Sequence, residues 1–236
     1  MVAVRRNNGR MSSRATATPP DVFGAAPMKK LGVSGETSAR AHCNDFYDQS
    51  AAYRERTFLR GRPPLFDSFM ESLPTGAKII DVGSGAGRDL AELKAAGYEC
   101  EGVDLSPSLA RYAANRSGAR VHVGDFRSLA IPDGEFDGAI AIASLLHLLR
   151  SEFHPALGNI RRWLRPGGFF LATMKVGTGE IFDETGRRFT LVEPDEWLNF
   201  LRTAGFLLVS KQVTLSDQSV SSTGHRWIAT LAIKNG

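Results

Sequence analysis

The stretch Ile79-Ile80-Asp81-Val82-Gly83-Ser84-Gly85-Ala86-Gly87-Arg88-Asp89 (IIDVGSGAGRD, residues 79–89) decides the fold. An apolar, strand-sized run meets three alternate glycines and then a helix-forming segment, RDLAELKAAG, that stops at Gly97. Glycine at such a junction permits a tight turn and lets a ligand approach the backbone without a Cβ in the way. Strand, glycine loop and helix in that order mark the ligand-bearing carboxyl edge of a parallel α/β sheet.

Reading outward, the alternation continues. AKIIDV (77–82), YECEGVD (98–104), RVHVGD (120–125), EFDGAIAIAS (135–144) and FFLATMK (169–175) read as strands. Between them lie helical segments, among them SPSLARYAANR, with Ser106 as N-cap and Pro107 at the first helical position. Residues 151–164 read as a helix broken by Pro166-Gly167-Gly168, and PDEWLNFLRTAG (194–205) as another. FLLVSKQVTL and HRWIATLAIK follow with no helix between them. The pattern predicts a Rossmann-like, doubly wound seven-stranded sheet whose last hairpin is antiparallel. Upstream, AHCNDFYDQSAAYRERTF and LFDSFMESL read as a helical lid segment over 41–74, ahead of a core over 75–236.

Charge narrows the ligand. The dinucleotide fingerprint G-x-G-x-x-G fails, because Arg88 stands where its third glycine would be. Asp81, just before the loop, would repel a pyrophosphate and attract a ligand carrying an ammonium and a sulfonium, which points to S-adenosylmethionine over NAD. Asp104, ending the second strand, suits a ribose, since a carboxylate accepts two hydroxyls side by side. Asp125, past the third strand, suits an adenine amino group with Phe126 on the ring; a loop-capping role competes. Arg88 suits a ligand carboxylate or a neighbouring acid.

With those residues in view, the chain resembles the class I S-adenosylmethionine-dependent methyltransferases over residues 41–236, and within them a group of small bacterial members loosely termed tellurite-resistance-like. The resemblance to the class rests on D-x-G-x-G-x-G at Asp81, Gly83, Gly85 and Gly87, on the acids Asp104 and Asp125, on EFDGAIAIASLLHL and on LRPGGFFLAT, and that to the smaller group on YDQSAAYRERT, SLLHL, KVGTGEIFDETGRRF and HRW. It implies that the glycine loop faces the methionine portion, Asp104 the ribose and Asp125 the adenine, with Leu105 and Ala143 alongside and Tyr53 of the lid packed on the cofactor. His147 is the candidate catalytic base, with packing among the neighbouring leucines as the competing reading. Lys175 is placed to orient an anionic acceptor, and the polar insertion holding Glu180, Asp183, Arg187 and Arg188 to overhang the acceptor. No metal is expected.

The chain of 236 residues carries a net charge of +4 and a pI of about 9.3, yet the charge is unevenly placed. Residues 1–40 hold seven Lys and Arg against Asp21 and Glu36, which leaves the remainder near neutral. A basic nucleic-acid groove is therefore not demanded. Residues 1–40 read as a disordered basic tail; a transit peptide, an arm for an acidic partner and a translation start at Met11 or Met28 are the competing readings. Cys43 and Cys100 form no CxxC pair, which fits a reducing cytoplasm, and no apolar run spans a membrane. A small-molecule acceptor is the expected partner. A tRNA or protein methylator and a non-catalytic cofactor-binding protein are the alternatives, and the sequence leaves the oligomeric state open.

Overall fold

Alternation of side chains across each strand builds two cores, one on each face of the sheet. In the computed structural model, which describes residues 46–47, 61–215 and 225–236, strand β1 (Lys78–Val82) sends Ile79 to one core and Ile80 and Val82 to the other. The first core packs helix α1 (Phe66–Glu71), α2 (Arg88–Ala95) and α3 (Pro107–Ser117) on the sheet through Phe66, Phe69, Leu90, Leu93 and Ala113. The second packs α4 (Phe153–Trp163) and α5 (Pro194–Thr203) through Trp163, Trp197 and Leu157.

The remaining strands are β2 (Glu99–Asp104), β3 (Arg120–Val123), β4 (Phe136–Ile142), β5 (Leu164–Lys175), β6 (Glu180–Phe182), β7 (Arg188–Thr190), β8 (Phe206–Leu215) and β9 (Arg226–Lys234). Seven of these nine form one sheet in the order β3-β2-β1-β4-β5-β9-β8. The first five run parallel; β9 is antiparallel to both β5 and β8. The order reverses between β1 and β4, so their carboxyl ends flank the crevice where such sheets bind ligands. Ser106 caps α3 as expected, its hydroxyl accepting from the Leu109 N–H at 3.1 Å.

Two local expectations are corrected. Pro166-Gly167-Gly168 lies inside β5 rather than ahead of it: α4 ends at Trp163, and Leu164 already pairs with Phe136 before a register shift. A bulge absorbs the proline, which has no N–H to give to a ladder. The polar insertion after β5 is not a bare loop, because β6 and β7 pair as an antiparallel ribbon, Ile181 opposite Phe189. Its strands are three residues each, too short for periodicity to reveal. The expected tail over 1–40, Tyr53 and most of the lid lie outside the described residues; Phe46 and Tyr47, which are described, are helical. No helix among the described residues is long and apolar enough to cross a membrane.

Candidate active site

The glycine loop sits between the ends of β1 and β2, held by backbone bonds from Gly83 N–H (2.8 Å) and Ser84 N–H (3.0 Å) to the Val103 carbonyl. Gly83, Gly85 and Gly87 all adopt positive φ, at 78°, 54° and 78°. Their surroundings differ. A Cβ on Gly83 would lie 2.4 Å from the Ser144 Cβ, so the loop presses against the end of β4. A Cβ on Gly87 would meet Ala113 at 2.8 Å, which makes Gly87 the point where α2 approaches α3.

Two carboxylates define the charge here. Asp104 is almost fully buried, and each of its oxygens accepts a backbone N–H, from Gly85 at 2.7 Å and from Ser106 at 2.9 Å. The side chain therefore shapes the loop, and a carboxylate can accept more bonds than these two. Asp81 is 2% exposed, and its Oδ2 finds no hydrogen-bond partner among the described residues. Burial, then the negative charge of Asp89 and that of Asp104, hold its carboxyl well above the usual range, against the pull of Arg88. The same burial, with Asp81 behind it, pushes the Cys100 thiol up to about 12, so that sulfur stays protonated.

A buried carboxylate without a partner is costly unless a cation meets it. Asp81 thus fits the ammonium and sulfonium charge of S-adenosylmethionine, and the Gly83 turn fits close approach of its methionine portion. The fit sets a pH dependence. An acid whose pKa is raised on folding binds protons in the folded state that the unfolded state has released, so free-protein stability falls as pH rises from the ordinary carboxylate range through the raised value. A cationic ligand favours the ionised form, so its thermal stabilisation should grow with pH over that window. Asp81→Asn should flatten both trends, and a ligand-induced Tm shift that ignores pH in the native protein would contradict the assignment.

The other expected residues fall as follows. Arg88 pairs with Asp89, Nε at 2.9 Å and Nη2 at 2.6 Å, and its Nη1 donates to the Gly61 carbonyl. Asp125 accepts from the Arg127 N–H (3.0 Å) and from its Nε (2.9 and 3.1 Å to the two oxygens), while Arg127 also reaches Glu152. It serves the loop-capping role, and the sequence reading missed Arg127. Phe126 packs at the edge of the second core. Leu105 is partly buried between Asp104 and Ser106. Ala143 adopts a left-handed φ of 53° at the mouth of β4, its N–H bonded to the Thr173 hydroxyl at 2.9 Å. Such a conformation costs about 1–2 kcal/mol in a residue with a Cβ and is typical of ligand sites.

Across the crevice, His147 follows β4 in a 3-10 turn (Leu145–His147). Its Nδ1 lies 2.8 Å from the Arg188 carbonyl, which can only accept, so Nδ1 carries the proton and Nε2 accepts from the Tyr47 hydroxyl at 2.9 Å. Burial lowers its pKa to about 4 against the opposing Arg188 hydrogen bond, with the charges of Arg187 and Lys175 contributing. The ring is neutral at physiological pH but a weak base, and its lone pair is engaged. His147 departs in this way from a free-standing base. Phe189 packs on it with ring centroids 4.9 Å apart, and Arg187 donates to the Tyr47 oxygen at 3.3 Å. These contacts join residues 41 and 100 or more positions apart, and no local pattern could have announced them.

Comparison with known proteins agrees with this arrangement. Residues 80–172 match the family described as "Methyltransferase domain". An O-methyltransferase of Penicillium expansum, cnsE, is 32% identical over 155 residues, covering 57% of this chain and 53% of that protein. A tRNA (carboxymethyluridine(34)-5-O)-methyltransferase of Arabidopsis thaliana is 34% identical over 112 residues, 47% of this chain and 27% of its own length. The chain thus spans about half the first relative and about a quarter of the second. Among solved structures, the 1,6-didemethyltoxoflavin-N1-methyltransferase of Burkholderia thailandensis superposes with a TM-score of 0.70 at 21% identity, over 89% of this chain and 94% of that one. Residues 80–172 thus carry a methyltransferase domain, and the chain's strand order, glycine loop and strand-end acids are similar to those of S-adenosylmethionine-dependent methyltransferases.

Proposed function

We propose that the protein transfers a methyl group from S-adenosylmethionine to a small-molecule acceptor. The observation that carries this reading is the buried oxygen of Asp81, partnerless among the described residues, beside a glycine turn with no room for a side chain. Asp81, Gly83 and Gly85 would hold the methionine portion, Asp104 and Leu105 the ribose, and Asp125 and Phe126 the adenine. Ala143 lies against the cofactor in this reading, with Tyr53 over it; Gly87 and Arg88 act one step back, through helix packing and the Asp89 pair. When bound, the cofactor supplies an activated methyl carbon whose bond pair stays on sulfur as the acceptor takes the methyl. What remains for the chain is to align the acceptor and exclude water, an orientation effect that can be large. His147 positions Tyr47 and the β6–β7 ribbon at the rim of that space.

A second reading, methylation of tRNA, is favoured by the tRNA methyltransferases among the relatives. Incubation with methyl-labelled cofactor and fractionated cell extract separates the two. Label in the low-molecular-weight fraction is the expected result. Label confined to RNA or protein would overturn the small-molecule reading, and label in no fraction would overturn methyl transfer itself.

A further inference from the structure

The buried charged side chains at the carboxyl edge of the sheet are sorted by sign. Among the described residues, the buried acids are Asp81 and Asp104, ending β1 and β2, and the buried bases are Lys175, ending β5, and Arg188 on β7. Arg187 adds a third cation beside them. Its guanidinium is paired with Asp183, Nε at 2.8 Å and Nη2 at 2.6 Å, and lies 4.4 Å from the Phe46 ring centroid. The Lys175 ammonium lies 3.9 Å from the centroid of Phe189 and 5.7 Å from that of Trp227. Glu180 and Glu184, the other acids of the ribbon, are exposed to solvent. The Arg188 Nε is buried and has no hydrogen-bond partner among the described residues, although its Nη2 donates to the His147 carbonyl at 3.2 Å. Two imidazoles face this corner, and both are held neutral: His147 by burial with Arg187 and Lys175, and His225, whose pKa is lowered by burial and then by Lys175.

We propose that this corner binds the methyl acceptor, and that the acceptor is an aromatic oxyanion, a ring carrying a carboxylate or phenolate, recognised by Lys175 and Arg187 with the ring faces of Phe189 and Trp227 alongside. The inference rests on the methyltransferase reading above and deepens it. Acids sit where a cationic methyl donor is expected and bases where its partner must lie, so the edge is complementary to a cation and an anion side by side. In a partly buried site, a cation within a few ångströms favours an anion over its neutral isostere. Ring faces select a planar body over an aliphatic one. An acceptor oxygen that arrives ionised has no proton to lose, which suits a site whose histidine has its proton on Nδ1 and its lone pair engaged.

Calorimetric titration tests this. S-adenosylhomocysteine is titrated first, and then benzoate, 4-hydroxybenzoate and 2-naphthoate, each beside its neutral amide, into the saturated protein. The carboxylates should bind about tenfold or more tighter than their amides, and Lys175→Gln and Arg187→Gln should each erode that preference while keeping S-adenosylhomocysteine affinity within about twofold. Amides binding as well as the carboxylates, carboxylates failing to bind the saturated protein, or a preference untouched by both substitutions would overturn the proposal. Failure of S-adenosylhomocysteine itself to bind a folded sample would instead overturn the reading on which it rests.

Discussion

Replacing Asp104 with Ala should cut the affinity for S-adenosylmethionine and S-adenosylhomocysteine about a hundredfold or more. Two losses combine. The carboxylate accepts the N–H groups of Gly85 (2.7 Å) and Ser106 (2.9 Å), so its removal strands two backbone donors in a site where the residue itself was only 9% exposed. Hydrogen bonds to a charged group contribute about 1.5–3 kcal/mol, and a stranded buried donor costs about 1–3 kcal/mol, so the turn that presents Gly83 and Gly85 should loosen. The proposed ribose contact goes with it. Asp104→Asn is the discriminating control, because its amide keeps one acceptor oxygen and turns an N–H₂ toward the other backbone donor. It should fold better than the Ala variant and still bind weakly. Calorimetry with circular dichroism on the same samples separates lost binding from lost folding, and native-like affinity in a folded Asp104→Ala protein would remove this residue from the site.

Asp104 also illustrates what the sequence makes legible. A glycine turn and an acid at the end of the next strand are local features, and the parallel sheet brings their positions together wherever β1 and β2 pair in register. Here Asp81 aligns with Gly102 and Val82 with Val103, so strand ends that match in sequence reading also match in space. The doubly wound sheet with its antiparallel final hairpin followed from the same alternation. What stayed hidden depends on contacts that no period encodes. The bulge that carries Pro166-Gly167-Gly168 through β5 exists because Phe136 and Gly138 of β4 pair on either side of it. The ribbon of β6 and β7 exists because Arg188, Phe189 and Thr190 are buried against the 3-10 turn, with the Thr190 hydroxyl donating to the Leu148 carbonyl. Asp125 was read through its ligand chemistry, yet Arg127, two residues on, engages both its oxygens. A short-range ion pair competes with the expected ligand for the same lone pairs.

Of these hidden contacts, those of the ribbon gather on one side of the crevice, beside the turn after β4. Local chemistry wrote the cofactor side, where backbone amides and strand-end acids need only the sheet to assemble them. The proposed acceptor side would be assembled from β5, the ribbon, the turn after β4 and the helical segment at Phe46 and Tyr47, elements drawn from separate stretches of the chain. This division explains why a fold and a cofactor can be read from a single chain while an acceptor cannot. It also explains why Lys175, a base at a strand end, gains meaning only when the structure places the Phe189 and Trp227 rings beside it and Arg187 on the same Phe189 ring.

Gly83→Ala should damage the loop more than Gly87→Ala, whose new Cβ would meet Ala113 at 2.8 Å. At Gly83 the new Cβ would stand 2.4 Å from the Ser144 Cβ and 3.1 Å from its Oγ, well inside van der Waals contact, and φ at 78° adds about 1–2 kcal/mol of strain for any residue with a Cβ. The wall cannot simply retreat, because Ser144 follows Ala143, itself left-handed and tied by its N–H to Thr173. Overpacking of this kind costs about 1–3 kcal/mol or more, which together with the strain lowers Tm by roughly 10 °C in a chain of this size. Cofactor binding should vanish with the displaced turn. Gly134→Ala separates the two contributions, since Gly134 has a similar φ of 66° with nothing within 4 Å of its would-be Cβ. It should lose only the backbone strain and bind S-adenosylhomocysteine normally. Adding Ser144→Gly to the Gly83→Ala protein removes the atoms struck and should recover part of the Tm loss. Native affinity in the Gly83→Ala single variant would mean that β4 yields where its bonds say it should not, and that the loop does not owe its shape to the end of β4.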